Sequence, residues 1–371
     1  MSDTLTYTLL MRAKKNIGDF LIFDKAHKLL SFYKKNEEHV VYNAWEPLDD
    51  YIDAINDTKA IIICGGPGIK KNFYPSIYPL TKNIDEIKVP IILFGTGWSE
   101  LPGTDNDIKN YEFSNASLNA LKKISSSFNF ISCRDYNTVK ILSNNGFTNA
   151  IMTGGPAWYD IRHISKPFII PKTIEKIVFT PAQNEIYYQQ TVEIMEMLRT
   201  TFPNATLYCS FHRGLLEDEF TSKKEAFRLN NLQKVGLKLG FKIVNAAYDL
   251  ENIKFYERCD LHVGYRLHGH INFLSLRKPS FLLHEDSRGR GFSEALGLPG
   301  IQAWEQSVIG NLSIIPDRIR RRTVRANRFT VDTLRKYMTK EIKTGFRNFL
   351  NLHKEFERHY ETMKQFITTI P

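Results

Sequence analysis

The residues best equipped for chemistry cluster between positions 260 and 299. Arg266 and His268 stand just beyond an apolar run (Leu261, Val263) that stops at Gly264. A second apolar run, 280–283, opens into His284, Glu285, Asp286, Ser287, Arg288, Gly289 and Arg290. Guanidinium groups make forked, charge-assisted hydrogen bonds to phosphates and carboxylates, and an imidazole can exchange protons near neutral pH. In open α/β sheets, ligands bind beyond the carboxyl ends of the strands. The segment therefore reads as an anion-handling active site, with His268 as its acid/base candidate. A zinc reading is weaker, and no metal is expected. His262, His268 and His270 match no recognised ligand spacing, and no carboxylate or cysteine partner is specified.

Further candidates follow apolar runs in the first half of the chain. Asn16, Gly18 and Asp19 lie between a strand candidate and a helix candidate, where backbone amides at a helix start favour anions. Alone, this stretch reads as an ordinary turn with Asp19 capping the helix. Gly65, Gly66 and Gly68 form a glycine-rich loop after one strand candidate, and Gly95 and Gly97 repeat the arrangement after the next. Neither matches a dinucleotide or P-loop fingerprint, but two such loops after neighbouring strands suggest a rim facing a ligand. Arg134 follows a fifth strand candidate. Its plain reading is a surface ion pair beside a helix-capping Asp135; its functional reading is an anion clamp in a cleft.

Short apolar runs alternate with helix-periodic stretches through most of the chain. Strands are expected at 6–11, 40–42, 60–64, 91–94, 130–133 and 150–152, then at 177–180, 205–209, 242–245, 260–263 and 280–283. Helices are expected between them, among others at 21–33, 49–55, 118–124, 137–142, 191–200 and 224–239. This alternation indicates βαβ units and mainly parallel sheets. A Pro-bearing stretch at 161–176 divides it into two halves. The expected organisation is an N-terminal Rossmann-like domain over 1–165, a second over 176–310, and a basic linker with an amphipathic helix over 316–371. That last helix has apolar residues from Leu334 to Ile367 at helical spacing, with a break at Gly345. Its expected role is to pack across both lobes, with a membrane-surface role as the alternative.

The composition is that of a soluble globular chain, with 42% hydrophobic and 24% charged residues. No apolar run is long enough to span a bilayer, and the N-terminus lacks a signal-peptide pattern. Four scattered cysteines read as buried thiols, so a cytoplasmic location is expected. The net charge of +10 points to an anionic partner. Part of it is local, in Arg318, Arg320, Arg321, Arg322, Arg325 and Arg328. No aromatic interleaving or binding motif accompanies the charge, so no nucleic-acid partner is expected.

In order, Asn16-x-Gly18-Asp19, Gly65-Gly66-x-Gly68, Gly95-x-Gly97, Ser132-Cys133-Arg134-Asp135, Pro156-Ala157 and Arg266-x-His268 resemble the motifs of the polysaccharide pyruvyl transferase family. The resemblance implies a glycosyltransferase-B-like fold of two Rossmann-type lobes. It also implies transfer of a pyruvate ketal from phosphoenolpyruvate, as co-substrate without a further cofactor, to two hydroxyls of a sugar. The acceptor would belong to a cell-surface polysaccharide or to its nucleotide- or lipid-linked precursor. By the same resemblance His268 is the acid/base, Arg134 and Arg288 bind the donor, and Arg266 is a third clamp or a brace. Arg288 stands where the family commonly has lysine, and Gly155 where it often has aspartate. Two alternatives remain: a nucleotide-sugar glycosyltransferase on the same scaffold, with Glu285 or Asp286 for the ribose, and a non-catalytic glycan- or membrane-associated scaffold. The basic C-terminal region is the candidate for peripheral contact with the inner membrane face.

Overall fold

The computed structural model describes residues 6–307 and 323–371. Arg318, Arg320, Arg321 and Arg322 of the expected basic linker lie outside the described residues. The first sheet contains β1 (Thr6–Met11), β2 (Glu38–Asn43), β3 (Ile61–Ile69), β4 (Ile91–Trp98), β5 (Ile131–Cys133) and β6 (Ala150–Met152). All its pairings are parallel, in the order β2-β1-β3-β4-β5-β6. The second contains β7 (Lys176–Thr180), β8 (Thr206–Phe211), β9 (Lys242–Asn245), β10 (Leu261–Gly264), β11 (Ser280–His284) and β12 (Ile301–Gln302). It too is parallel, ordered β12-β11-β10-β7-β8-β9. A short antiparallel pair, β13 (Trp304–Gln306) and β14 (Val324–Ala326), follows.

Central strands covered on both faces should read as unbroken apolar runs, not as alternation. Ile61, Ile62, Ile63, Ile91, Ile92, Leu93 and Phe94 are all fully buried. The helices that cover them are α1 (Ile17–Tyr33), α2 (Ile52–Asn56), α3 (Asp105–Lys109), α4 (Asn115–Ser127) and α5 (Tyr136–Asn144) in the first half. In the second are α6 (Tyr188–Thr201), α7 (Lys223–Lys238), α8 (Leu267–Ser275) and α9 (Ser287–Leu296).

Three local expectations are corrected. The glycine segments are not loops after β3 and β4. The strands run on through Gly65, Gly66 and Gly68, and through Gly95 and Gly97, because cross-strand pairing continues to Ile69 and Trp98. Asp19 does not cap α1; Asn16 stands at the cap position, and its side-chain amide donates to the Asp19 carboxylate at 3.2 Å. The segment after Glu285 is helical from Ser287, with the Asp286 carboxylate accepting from the Arg288 amide.

The C-terminal region spans both halves. Helix α10 (Thr330–Lys343) packs on α6 and β12. Gly345 and Phe346 then take left-handed conformations (φ 65° and 58°), so the helical pattern breaks where expected. After the short α11 (Arg347–Leu350), α12 (Leu352–Thr369) lays Phe366 against Phe94 and Phe128, and Tyr360 against Tyr33 and Tyr159. Phe356 meets Trp158 and the buried Arg277 guanidinium. Arg277 in turn donates to the carbonyls of Ile164 and Lys166 in the connecting segment. The apolar face of α12 is thus consumed by the protein's own core, which removes it as a membrane-inserting surface. Phe356 is fully buried. Phe356→Ala should cost about 3–5 kcal/mol of stability, seen as a lower urea midpoint at unchanged slope.

Candidate active site

The carboxyl ends of β1, β7, β8, β10 and β11 converge, with the glycine stretch of β3, on one cavity of about 460 Å³ between the sheets. It is lined by Asn16, Asp19, Gly65 and Gly66 from the first sheet's edge, and by Gln183, Arg213, Arg266, Glu285, Asp286 and Arg288 from the second's. A much smaller hollow adjoins it, sharing Ile22 and Gly66, and holds Gly95, Arg134 and His268. Chain ties cross the cleft beside it. The Ile17 amide donates to the His212 carbonyl at 3.0 Å, and the Ser287 amide to the Glu100 carbonyl at 3.0 Å. Lys15, 3% exposed, reaches across to Asp218 at 2.5 Å and Thr221 at 2.6 Å.

Each sequence-derived candidate has a definite place. His268 sits in the first turn of α8, buried, with its ring against α1 at Gly18. A Cβ at Gly18 would overlap the imidazole Nδ1, so glycine is what lets the two helices approach. Arg134 is 7% exposed, which corrects its surface reading. Its guanidinium donates to the Trp98 carbonyl at 3.0 Å and lies 3.4 Å from Asp135. It runs directly over Gly97, where a Cβ would overlap its Nε. Asp135 does cap its helix, accepting from the Thr138 amide at 2.8 Å. Arg266 donates to the Asn16 side-chain oxygen at 3.1 Å, a brace between the halves, and still lines the cavity. Arg288 is gripped by Asp286 through three contacts of 2.6–2.9 Å. Gly68 falls away from the site, packed on Tyr78.

Electrostatics set the protonation states. Burial pushes the His268 pKa well below 6.5, and the charges of Arg288, Arg134 and Arg266 push it further. The ring is therefore neutral at physiological pH, a proton acceptor. Burial raises the carboxyl pKa of Glu285 against the pull of Arg266, and that of Asp19 against the pull of Asn16 and Arg12. Asp286 goes the other way: burial would raise it, but the Arg288 guanidinium holds it below the usual carboxylate range. The other histidines of the expected cluster are structural. His262 bonds Thr180 at 2.9 Å and Ser280 at 2.7 Å, and His270 bonds the same Ser280 hydroxyl at 2.7 Å.

The comparisons place this arrangement. The family model for polysaccharide pyruvyl transferase matches residues 16–287. The chain belongs to the polysaccharide pyruvyl transferase family. No curated protein matches it by sequence. Among solved structures it is similar to MnaA of S. aureus in complex with UDP, at 12% identity and a TM-score of 0.53, covering 99% of this chain and 97% of that one. It is also similar to the UDP-GlcNAc 2-epimerase of Neisseria meningitidis bound to UDP-GlcNAc, at 10% identity and a TM-score of 0.52, covering 97% and 99%. A third is Anabaena Alr3699/HepE in complex with UDP and glucose, at 10% identity and a TM-score of 0.50, covering 98% of each chain. At these identities the likeness shows the fold, a glycosyltransferase-B-like pair of Rossmann-type lobes.

Sequence reading passed over Arg12, Arg213, Gln183 and Tyr187, all of which line the cavity. The signal was available for the arginines, since Arg12 follows β1 and Arg213 lies just past β8.

Two predictions follow from packing and charge. Gly18→Ala and Gly97→Ala, which displace His268 and Arg134, should each lower kcat/KM about 100-fold or more with an unchanged circular dichroism spectrum. Burial also pushes the pKa values of His212, His262, His270 and His284 down, the last to about 4. With folded values below the unfolded 6.5, these groups favour the fold above that pH and oppose it progressively as pH falls below it. Urea titrations should therefore show stability dropping from pH 6.5 towards 4.5, with a shallower drop in His268→Asn.

Proposed function

We propose that the protein transfers a carboxyethylidene group from phosphoenolpyruvate to two hydroxyls of a sugar, forming a cyclic pyruvate ketal and releasing inorganic phosphate. The observation that carries this reading is the placement of Arg266 and Arg288 on the cavity and of Arg134 and His268 on the hollow that adjoins it. A three-carbon donor bearing a phosphate and a carboxylate calls for several fixed cations at close range, and forked guanidiniums match both of its anionic groups.

The chemistry can be written on these groups. A carboxylic acid delivers a proton to the methylene carbon of the donor, leaving positive charge at C2; Glu285, whose carboxyl pKa burial raises, lines the same cavity. A sugar hydroxyl adds to C2 and gives its proton to His268. The C2–O bond to phosphate then breaks, the phosphate leaving on the arginines with the proton from His268, and the second hydroxyl adds to close the ketal and returns its proton to the carboxylate. Donor binding also arms the base. Its negative charge offsets the three guanidiniums that disfavour the imidazolium, so His268 becomes a better proton acceptor only when the donor is seated. A general acid/base of this kind contributes roughly 100- to 10,000-fold.

The glycosyltransferase alternative requires a carboxylate for ribose hydroxyls. Asp286 is engaged by Arg288 through three contacts, and Glu285 accepts from the Gln183 amide at 3.1 Å, so neither carboxylate is free for a ribose.

Incubation with phosphoenolpyruvate and a panel of sugar acceptors should yield inorganic phosphate and a ketal adduct in the mass spectrum. His268→Ala should lower kcat by about 100-fold or more while the protein stays folded. Release of a nucleoside diphosphate from a sugar nucleotide, with phosphoenolpyruvate untouched, would instead establish the alternative.

A further inference from the structure

The cavity is larger than the donor needs. At about 460 Å³ it falls within the range of pockets for drug-sized ligands, whereas phosphoenolpyruvate is a three-carbon acid. Arg266 and Arg288 of the donor set line the cavity. So do Arg12, at the end of β1 in the first lobe, and Arg213, just past β8 in the second. Neither has a role in the donor chemistry above.

We propose that Arg12 and Arg213 form a second anion subsite, which holds a phosphoryl group on the sugar acceptor, so that the acceptor enters as a glycosyl phosphate or diphosphate. The proposal rests on the donor reading for Arg266 and Arg288, and three features support it. First, the two guanidiniums come from opposite lobes, and among the described residues neither is in an ion pair. Arg12 lies over the Tyr78 ring, 5.3 Å from its centre, and Arg213 donates only to the Phe220 carbonyl at 3.3 Å.

Second, buried atoms of three cavity-lining side chains lack a hydrogen-bond partner: Arg12 Nη1, Arg213 Nε and Gln183 Nε2. All three are donors. Unpartnered buried donors are unfavourable, and a ligand rich in acceptor oxygens would satisfy all of them together. A sugar offers hydroxyls that both donate and accept, while a phosphoryl group only accepts in its ionised form.

Third, the local charge is cationic. Asp19, Glu285 and Asp286 face the same space, but Asp286 is bound to Arg288, and burial favours the neutral forms of the other two. Arg213 lies near enough to Arg266 that each guanidinium opposes the other's charge. An entering phosphate relieves this repulsion.

The same chemistry could reach the site on a nucleoside diphosphate or on a polyprenyl diphosphate, so both are probed. Calorimetric titrations use GlcNAc 1-phosphate, UDP-GlcNAc and farnesyl diphosphate, alongside phosphoenolpyruvate, on the full chain. At least one of the three phosphorylated probes should bind. Arg12→Gln and Arg213→Gln should each weaken that binding about tenfold, with phosphoenolpyruvate affinity within about twofold of the parent. Arg134→Gln should show the reverse pattern. Preference for UDP-GlcNAc or for farnesyl diphosphate identifies the carrier, and either supports the proposal. If a glutamine variant does not fold, the lysine variant, which keeps charge but loses the fork, is titrated in its place. Binding of none of the three probes, or binding unaffected by changes at both Arg12 and Arg213, overturns the proposal. Failure of the donor reading is seen separately, as absent phosphoenolpyruvate binding by the parent protein.

Discussion

A neutral imidazole enclosed by three guanidinium groups is the constraint on which the rest of the structure turns. Such an arrangement is intrinsically unfavourable, because each cation opposes the others and burial limits the water that screens Arg134. It persists only where neighbouring elements over-determine every position. Gly18 and Gly97 remove the two side chains that would collide with His268 and Arg134. Asp286 fixes Arg288, Asn16 steadies Arg266, and the Trp98 carbonyl takes one arm of Arg134. Around this cluster, Lys15–Asp218 and the Ile17–His212 backbone bond hold the two sheets to a common edge.

Polarity gives the cluster its use. A cation-rich cleft is suited to a small polyanion, and on the proposed reading the binding of that anion raises the basicity of His268. Substrate binding and catalytic activation are then a single electrostatic event. The same logic limits what the fold alone can say. The similar solved structures share two Rossmann-type lobes with this chain at 10–12% identity, yet they are complexes with UDP, with UDP-GlcNAc, and with UDP and glucose. What separates chemistries on such a scaffold is the set of side chains at the strand ends.

Much of this was legible before any coordinates. Parallel strands buried on both faces leave unbroken apolar runs, and eleven of the twelve strands of the two sheets were expected from such runs, though β3 and β4 extend past theirs and the short β12 was missed. The rule that ligands gather beyond the carboxyl ends of strands pointed to Arg266, His268 and Arg288, whereas Arg134 was assigned a role through the family resemblance. The glycine segments were misread as loops because local sequence cannot show that a neighbouring strand continues to pair alongside them. Arg12 and Arg213 stood in equivalent positions and passed unnoticed, since strand order, which decides which ends meet, is a long-range property. The structural role of the histidines at 262 and 270 could not be read locally, because Ser280, their shared partner, lies on the adjacent strand 18 and 10 residues away. The last helix was foreseen as a strap, but its pairing with Phe94 and Trp158 depended on tertiary packing alone.

The most direct test of the account is the ionisation of His268 itself, followed by NMR of ring-labelled histidine with His268→Asn as the assignment control. In the free protein its resonance should stay that of a neutral ring as pH falls well below 6.5. With phosphoenolpyruvate present, its midpoint should move upward. A His268 that titrates near 6.5 in the free protein, or one that ignores the donor, would contradict the idea that a buried imidazole is governed by the surrounding arginines.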